Sequence, residues 1–182
     1  MPSDARSGPS PSSPASPSAV AARFTGRSVT GGRPLSGALT EVYLDDGRTV
    51  IVKTADAPGA ARAEAAGLRW LAAAGTVRIP AVHGHDERSL VTDRVARGPA
   101  SGGAPVRFGR DLAALHAAGA PAFGAAPPGG PEDAFIGLAP MRNATGNDWP
   151  SWYAEHRVLP YLRGAVDAGA GGPRGAAGPP AR

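Results

Sequence analysis

A lysine inside a β-branched strand and a glutamate on the helix that follows are the residues whose types and spacing point to chemistry. Thr49-Val50-Ile51-Val52-Lys53-Thr54 is dense in β-branched residues and reads as a strand. In the helix expected over residues 58–74, Glu64, Leu68 and Leu71 stand at i, i+4 and i+7, so they share one stripe that should face the core. A carboxylate there needs a partner. Lys53 is the nearest candidate, because a lysine among valines is equally costly to bury alone and the two costs cancel best when the charges pair. A lysine held this way is a fixed cation able to position phosphate groups. Both residues also have an ordinary reading: a strand-end lysine extends its amine to water, and a glutamate in an alanine-rich helix serves propensity and solubility. The surrounding elements decide between the two.

Composition narrows the classes. With 26 Gly and 20 Pro among 182 residues, the packed part must be smaller than the whole chain. The net charge of +4 comes mostly from scattered arginines, without a basic block or interleaved aromatics. That favours small anionic ligands and gives no support for nucleic acid. The absence of cysteine removes disulfides, thiolate zinc sites and cysteine nucleophiles together. No apolar run approaches membrane-spanning length and no apolar stretch follows Arg6, so neither a membrane partner nor export is expected, and the cytoplasm is the expected location. Nothing in the sequence bears on oligomeric state.

The elements that must position Lys53 and Glu64 can be read in order. Residues 1–18 are rich in Ser and Pro; the prolines are expected to deny a helix and leave a disordered tail. A first lobe is expected over 20–97. In it, residues 29–44 read as strand, small-residue turn and strand, and Asp45-Asp46-Gly47 closes a hairpin into the lysine strand. The Gly/Ser-rich turn within 31–40 could offer backbone N–H groups to phosphates, although it lacks G-x-G-x-x-G spacing. Gly75 should cap the helix, a strand should begin at Ile79, and Asp86-Glu87-Arg88 should turn it back as residues 89–95. A second, helical segment is expected over 98–166. Its first helix, 105–118, carries Phe108, Leu112 and Leu115 at i, i+4 and i+7. Its last opens at Asp148 as N-cap, aligns Trp152, His156 and Leu159, and should kink at Pro160, while Asp133 is expected in a loop. From 167 to 182 the chain is a Gly/Ala/Pro tail, again expected to be disordered.

Six stretches occur in register: Val50-Ile51-Val52-Lys53, Glu64-Ala65-Ala66-Gly67-Leu68, Ile79-Pro80-Ala81-Val82, Gly109-Arg110-Asp111-Leu112-Ala113-Ala114-Leu115-His116, Asp133-Ala134-Phe135-Ile136-Gly137, and Asp148-Trp149 through Glu155-His156-Arg157-Val158-Leu159-Pro160. Over residues 29–165 the chain thereby resembles the fructosamine kinase (ketosamine 3-kinase) family, part of the kinase-like group that includes aminoglycoside and choline kinases. The resemblance implies an α+β fold: a protein-kinase-like N-terminal lobe, antiparallel sheet plus one helix, followed by the first helices of an incomplete C-terminal lobe. It implies ATP, with Mg in a complete family member, and a ketosamine whose sugar is phosphorylated in deglycation. Lys53 would contact the α- and β-phosphates, Glu64 would orient it, and Gly37, Ala38, Leu39 and Thr40 would cover them. Asp93, Arg94 and Val95 would form the hinge whose backbone meets adenine. His116 would buttress a neighbouring loop.

The departures are as informative. Ala134 stands where the family usually has a polar residue. The family's His-Gly-Asp-Leu-Trp stretch, with its following Asn and a further Asp for magnesium, lies downstream of the Asp148 helix, where this sequence is already low in complexity. His83-Gly84-His85-Asp86 imitates that stretch but precedes the hinge strand, so it reads as a turn. No catalytic or metal residue is therefore assigned. The chain is expected to be inactive alone, with an ATP-binding regulatory remnant and a non-functional truncated product as the alternatives.

Overall fold

The structure, a computed structural model, describes residues 15–99 and 102–169. The expectations for residues 1–14 and 170–182 lie outside the described residues. The first element corrects one reading: α1 runs Pro17–Thr25 and so begins inside residues 1–18, whose prolines were expected to deny a helix. Pro17 occupies the first turn, where a missing N–H costs nothing, and Ser16 caps it by accepting from the Ala19 amide.

The β-branched runs then build the sheet. β1 (Val29–Pro34), β2 (Leu39–Leu44), β3 (Thr49–Thr54), β4 (Val82–His85) and β5 (Ser89–Asp93) form an antiparallel sheet in the order β1-β2-β3-β5-β4. The Asp45-Asp46-Gly47 turn closes as expected, with Gly47 at φ 80°. β4 starts at Val82 rather than Ile79, because Pro80 has no N–H to give a ladder.

Each sheet face has its own helix, so the lobe carries two helices and not one. On one face Val42, Leu44, Val50, Val52 and Val91 bury against Val20 and Ala21 of α1. α1 lies close: a Cβ at Gly84 would stand 2.2 Å from the Phe24 ring. On the other face Leu90 and Ala55 pack against Ala61 and Ala65 of α2, which runs Ala60–Ala73. The expected stripe of Glu64, Leu68 and Leu71 is therefore corrected. Only Leu68 packs there, while Glu64 and Leu71 are exposed, because the alanine face lets α2 approach the sheet most closely. Gly75, at φ 66°, follows an Ala74 cap.

Beyond the sheet, α3 (Ala104–Ala117) forms where its periodicity predicts, yet buries no residue; Val106 and Phe108 are exposed and Leu112 and Leu115 half-buried. Periodicity reports a helix, not its partner. β6 (Asp133–Ile136) and β7 (Ala139–Arg142) make a hairpin, which places Asp133 in a strand rather than a loop. Gly137, at φ 60°, supplies the left-handed turn residue. α4 (Trp149–Tyr153) opens on Asp148, whose carboxylate accepts from the Ser151 amide, and continues through a π-helical turn, Ala154–Val158, into α5 (Leu159–Asp167). That turn stands just before Pro160, where the absent N–H removes an α-helical bond. Trp152 anchors the region: it is buried, donates to the Ala144 carbonyl at 2.6 Å and lies under the Arg157 guanidinium.

Two outcomes follow from this packing. Leu90→Ala should cost about 2–5 kcal/mol in urea unfolding, whereas Phe108→Ser should change stability by no more than about 0.5 kcal/mol. Asp86 ties the β4–β5 turn to α1 by accepting from the Arg88 and Ser89 amides and pairing with Arg23. Partial burial pushes its carboxyl up, but these bonds outweigh that and hold it below the usual carboxylate range. A depressed folded-state value means its contribution is present above the unfolded pKa and lost as pH falls through the folded one. The stability gap between the parent and Asp86→Asn should therefore hold above the ordinary carboxylate value of 3.8 and close as pH falls below it in acid denaturation.

Candidate functional site

β3 carries Lys53 opposite Leu39 on β2 and Leu90 on β5, which fixes its side chain on the α2 face of the sheet. There Nζ donates to Glu64 Oε2 at 2.6 Å. The pairing read from the sequence is present. Its setting is not the buried one, since the two side chains are 42% and 40% exposed. An exposed pair of this kind contributes about 0.2–1 kcal/mol, so its consequence is where the amine points rather than how stable the fold is.

The amine points along a cavity of about 550 Å³ between the β3–α2 junction and the β6–β7 hairpin. Ala38, Lys53, Thr54, Asp56 and Glu64 line one side; Phe135, Leu138, Met141 and Asn143 line the other. The hairpin wall was missed in the sequence. Its only signal was the stretch Asp133-Ala134-Phe135-Ile136-Gly137, which shows no partner by itself.

Of the residues implied to cover phosphates, Ala38 alone lines the cavity; Gly37, Leu39 and Thr40 do not. The turn is also partly closed on itself. The Leu35 and Ser36 amides donate to the Leu39 carbonyl, and the Leu39 amide donates to Ser36. Asp93, Arg94 and Val95 stand off the cavity, at the other end of the same strands. Asp93 is engaged by His83 Nε2 at 2.8 Å and by the Ala81 amide. The Arg94 amide donates to Thr49, and Val95 is exposed. His116 is exposed on α3, among helix residues none of which is buried, so no buttressing contact supports its implied role.

A second charged cluster shares the face of Lys53 and had no signal in the sequence. Glu41, on β2, is 4% exposed and is the one buried charged residue among those described. Arg33 Nη2 reaches its carboxylate at 2.6 Å and Arg94 Nε at 2.7 Å. The Tyr43 hydroxyl and then the Glu41 charge hold the Arg33 guanidinium above its usual value. Glu41 pairs across the ladder with Ile51, two residues before Lys53.

Two acids late in the chain, Asp148 and Asp133, are engaged by their neighbours. Hydrogen bonds from Ser151 hold the Asp148 carboxyl below the usual range, as befits a cap, and Asp133 lies 3.8 Å from Arg142. Among the described residues, no group of three His, Cys, Asp or Glu side chains gathers as a metal site.

A family model described as fructosamine kinase matches residues 21–173. The chain belongs to the fructosamine kinase family. A Synechocystis protein named as a ketoamine kinase is 36% identical over 101 residues, covering 53% of this chain and 33% of its own length. A solved structure named as a fructosamine-3-kinase from Thermobifida fusca is 42% identical, with a TM-score of 0.74 over 86% of this chain and 56% of that one. One of the same name from Haemophilus somnus, at 22% identity and TM-score 0.66, matches 84% of this chain and 54% of its own, and bears on the fold alone. The fold is thus α+β with a protein-kinase-like N-terminal lobe followed by helices, and the chain spans about half the length of these fructosamine-3-kinase structures. For the Lys53–Glu64 pair, a double-mutant cycle on Lys53→Ala and Glu64→Ala should give a stability coupling of about 0.2–1 kcal/mol, and one above about 2 kcal/mol would contradict the half-open site.

Proposed function

We propose that this chain is the ATP-binding portion of a ketosamine kinase, with Lys53 as the phosphate-binding cation and Glu64 as the residue that aims it. The observation that carries the reading is the 2.6 Å contact between them at the edge of a ligand-sized cavity. The residues fit a polyphosphate in one respect above all: an ammonium with three rotatable donors is held at one point and left partly open to the cavity. Bound there, ATP would supply the phosphoryl group for a ketosamine hydroxyl.

The described residues hold and orient, and none among them is assigned to complete the transfer. Phosphoryl transfer needs a group that orients the attacking hydroxyl and carboxylates that hold magnesium. The described residues do not fit a magnesium site, and no step is assigned through one. Binding without turnover by these 182 residues is therefore the reading, whether the role is regulatory or completed by further polypeptide. Such a role would be exercised in the cytoplasm, where ATP is available. Among the described residues, no helix is long and apolar enough to cross a membrane.

Isothermal titration of the chain should detect ATP and tripolyphosphate, and Lys53→Ala should weaken both about tenfold or more. Glu64→Gln should weaken them less, because the cation remains but is no longer aimed. Incubation with ATP and a fructosamine substrate should give no phosphorylated sugar. Turnover that disappears in Lys53→Ala would overturn the assignment of binding without transfer.

A further inference from the structure

The cavity beside Lys53 is not balanced in charge. Among the described residues that line it, Lys53 is the one cation, while Asp56 and Glu64 are both carboxylates. Glu64 is occupied by the lysine at 2.6 Å. Asp56 is exposed and takes part in no hydrogen bond or ion pair with the described residues, whereas Asp46, Asp86 and Asp148 each accept a backbone amide. The cavity therefore keeps one unmatched negative charge.

A site for phosphates alone has no use for that charge. A carboxylate beside a polyanion repels it, and the repulsion grows where the walls exclude water. Asp56 follows Lys53 by three residues, which puts their Cα atoms within about 11 Å of each other. The backbone between them is anchored, since Ala55 is buried against α2 and its amide donates to the Arg88 carbonyl at 2.7 Å. Asp56 thus stands at a fixed place next to the phosphate end. Across the cavity, Phe135, Leu138 and Met141 are apolar.

We propose that Asp56 holds the protonated amine of the ketosamine, as a contacting residue that selects an aminated sugar over a neutral one. The inference rests on the ketosamine kinase reading above and gives the second substrate of that reading a position. A ketosamine is a secondary amine, charged at neutral pH, and its ammonium is only a few bonds from the sugar hydroxyls. An ammonium donating to the Asp56 carboxylate makes a charge-assisted hydrogen bond and cancels the charge that would otherwise oppose the phosphates. The sugar is then kept beside Lys53, and the alkyl substituent of the amine meets the apolar wall of the β6–β7 hairpin.

The test is titration of the full chain with fructosyl-methylamine, with fructose and with tripolyphosphate, at one ionic strength, with thermal unfolding recorded for each variant. The parent should bind fructosyl-methylamine about fivefold more tightly than fructose. Asp56→Asn should abolish that preference, leave fructose within about twofold, and leave tripolyphosphate equal or tighter. Asp56→Glu keeps the charge and should keep most of the preference. Equal weakening of both sugars, a preference that survives Asp56→Asn, or failure of the parent to bind either sugar would overturn the proposal and leave Asp56 a solvated surface charge. Weaker tripolyphosphate binding in Asp56→Asn would place the carboxylate in the service of the phosphates, with the same result. Tripolyphosphate binding that ignores Lys53→Ala would instead overturn the phosphate reading, and this proposal with it, by a result that no Asp56 variant gives.

Discussion

The pairing register of β3 is the constraint on which the rest depends. In a strand, neighbouring side chains point to opposite faces, so burying Val50 and Val52 under α1 commits Ile51 and Lys53 to the other side. A slip of one residue would drive the lysine amine into the valine core and expose both valines. The apolar contact with α1 therefore aims the cation, although no α1 residue lines the cavity. In this sense the hydrophobic face sets the chemistry of the polar one.

The second face is built differently. α2 docks with alanines, which bring it close to Leu90 while covering little of the sheet. Glu64 is left at the edge, able to reach Lys53 without being buried. Larger apolar residues at Ala61 or Ala65 would push the helix outward and lengthen that reach. Farther along, where no helix covers the strands, Glu41 is sheltered by its own arginines. One face thus presents two charged groups in succession, a matched pair and a triad of one glutamate and two arginines.

The later elements owe their positions to local chemistry more than to shared burial. The β6–β7 hairpin turns at Gly137, α4 starts at the Asp148 cap, and the π turn accommodates Pro160. Trp152 gathers Phe123, Trp149 and His156 around it. α3 shows the opposite case, a regular helix whose Val106 and Phe108 meet solvent. The hairpin returns to the site together with Pro127 and Pro131 of the loop before it, and its Phe135, Leu138 and Met141 supply the apolar wall opposite Lys53.

Much of the sheet and the central pair was legible in the residues themselves. β-branched runs, Asp-Gly turns and the type and spacing of Lys53 and Glu64 are local signals, and their contact at 2.6 Å is what those signals implied. Local signals fail where the outcome depends on what lies across the chain. Pro17 reads as a helix breaker until Ser16 makes it a first-turn residue. The leucines of α2 read as its core face until the approach of the sheet selects the alanines. Glu41 reads as an ordinary strand glutamate, because neither Arg33 nor Arg94 can be matched to it before the strands are paired. By itself the sequence determined most of the strands and helices, α1 and the β6–β7 hairpin aside, since dihedral preference, capping and periodicity act within a few residues. The tertiary structure alone decided which faces meet, because burial and charge pairing are settled between residues that sequence spacing does not connect.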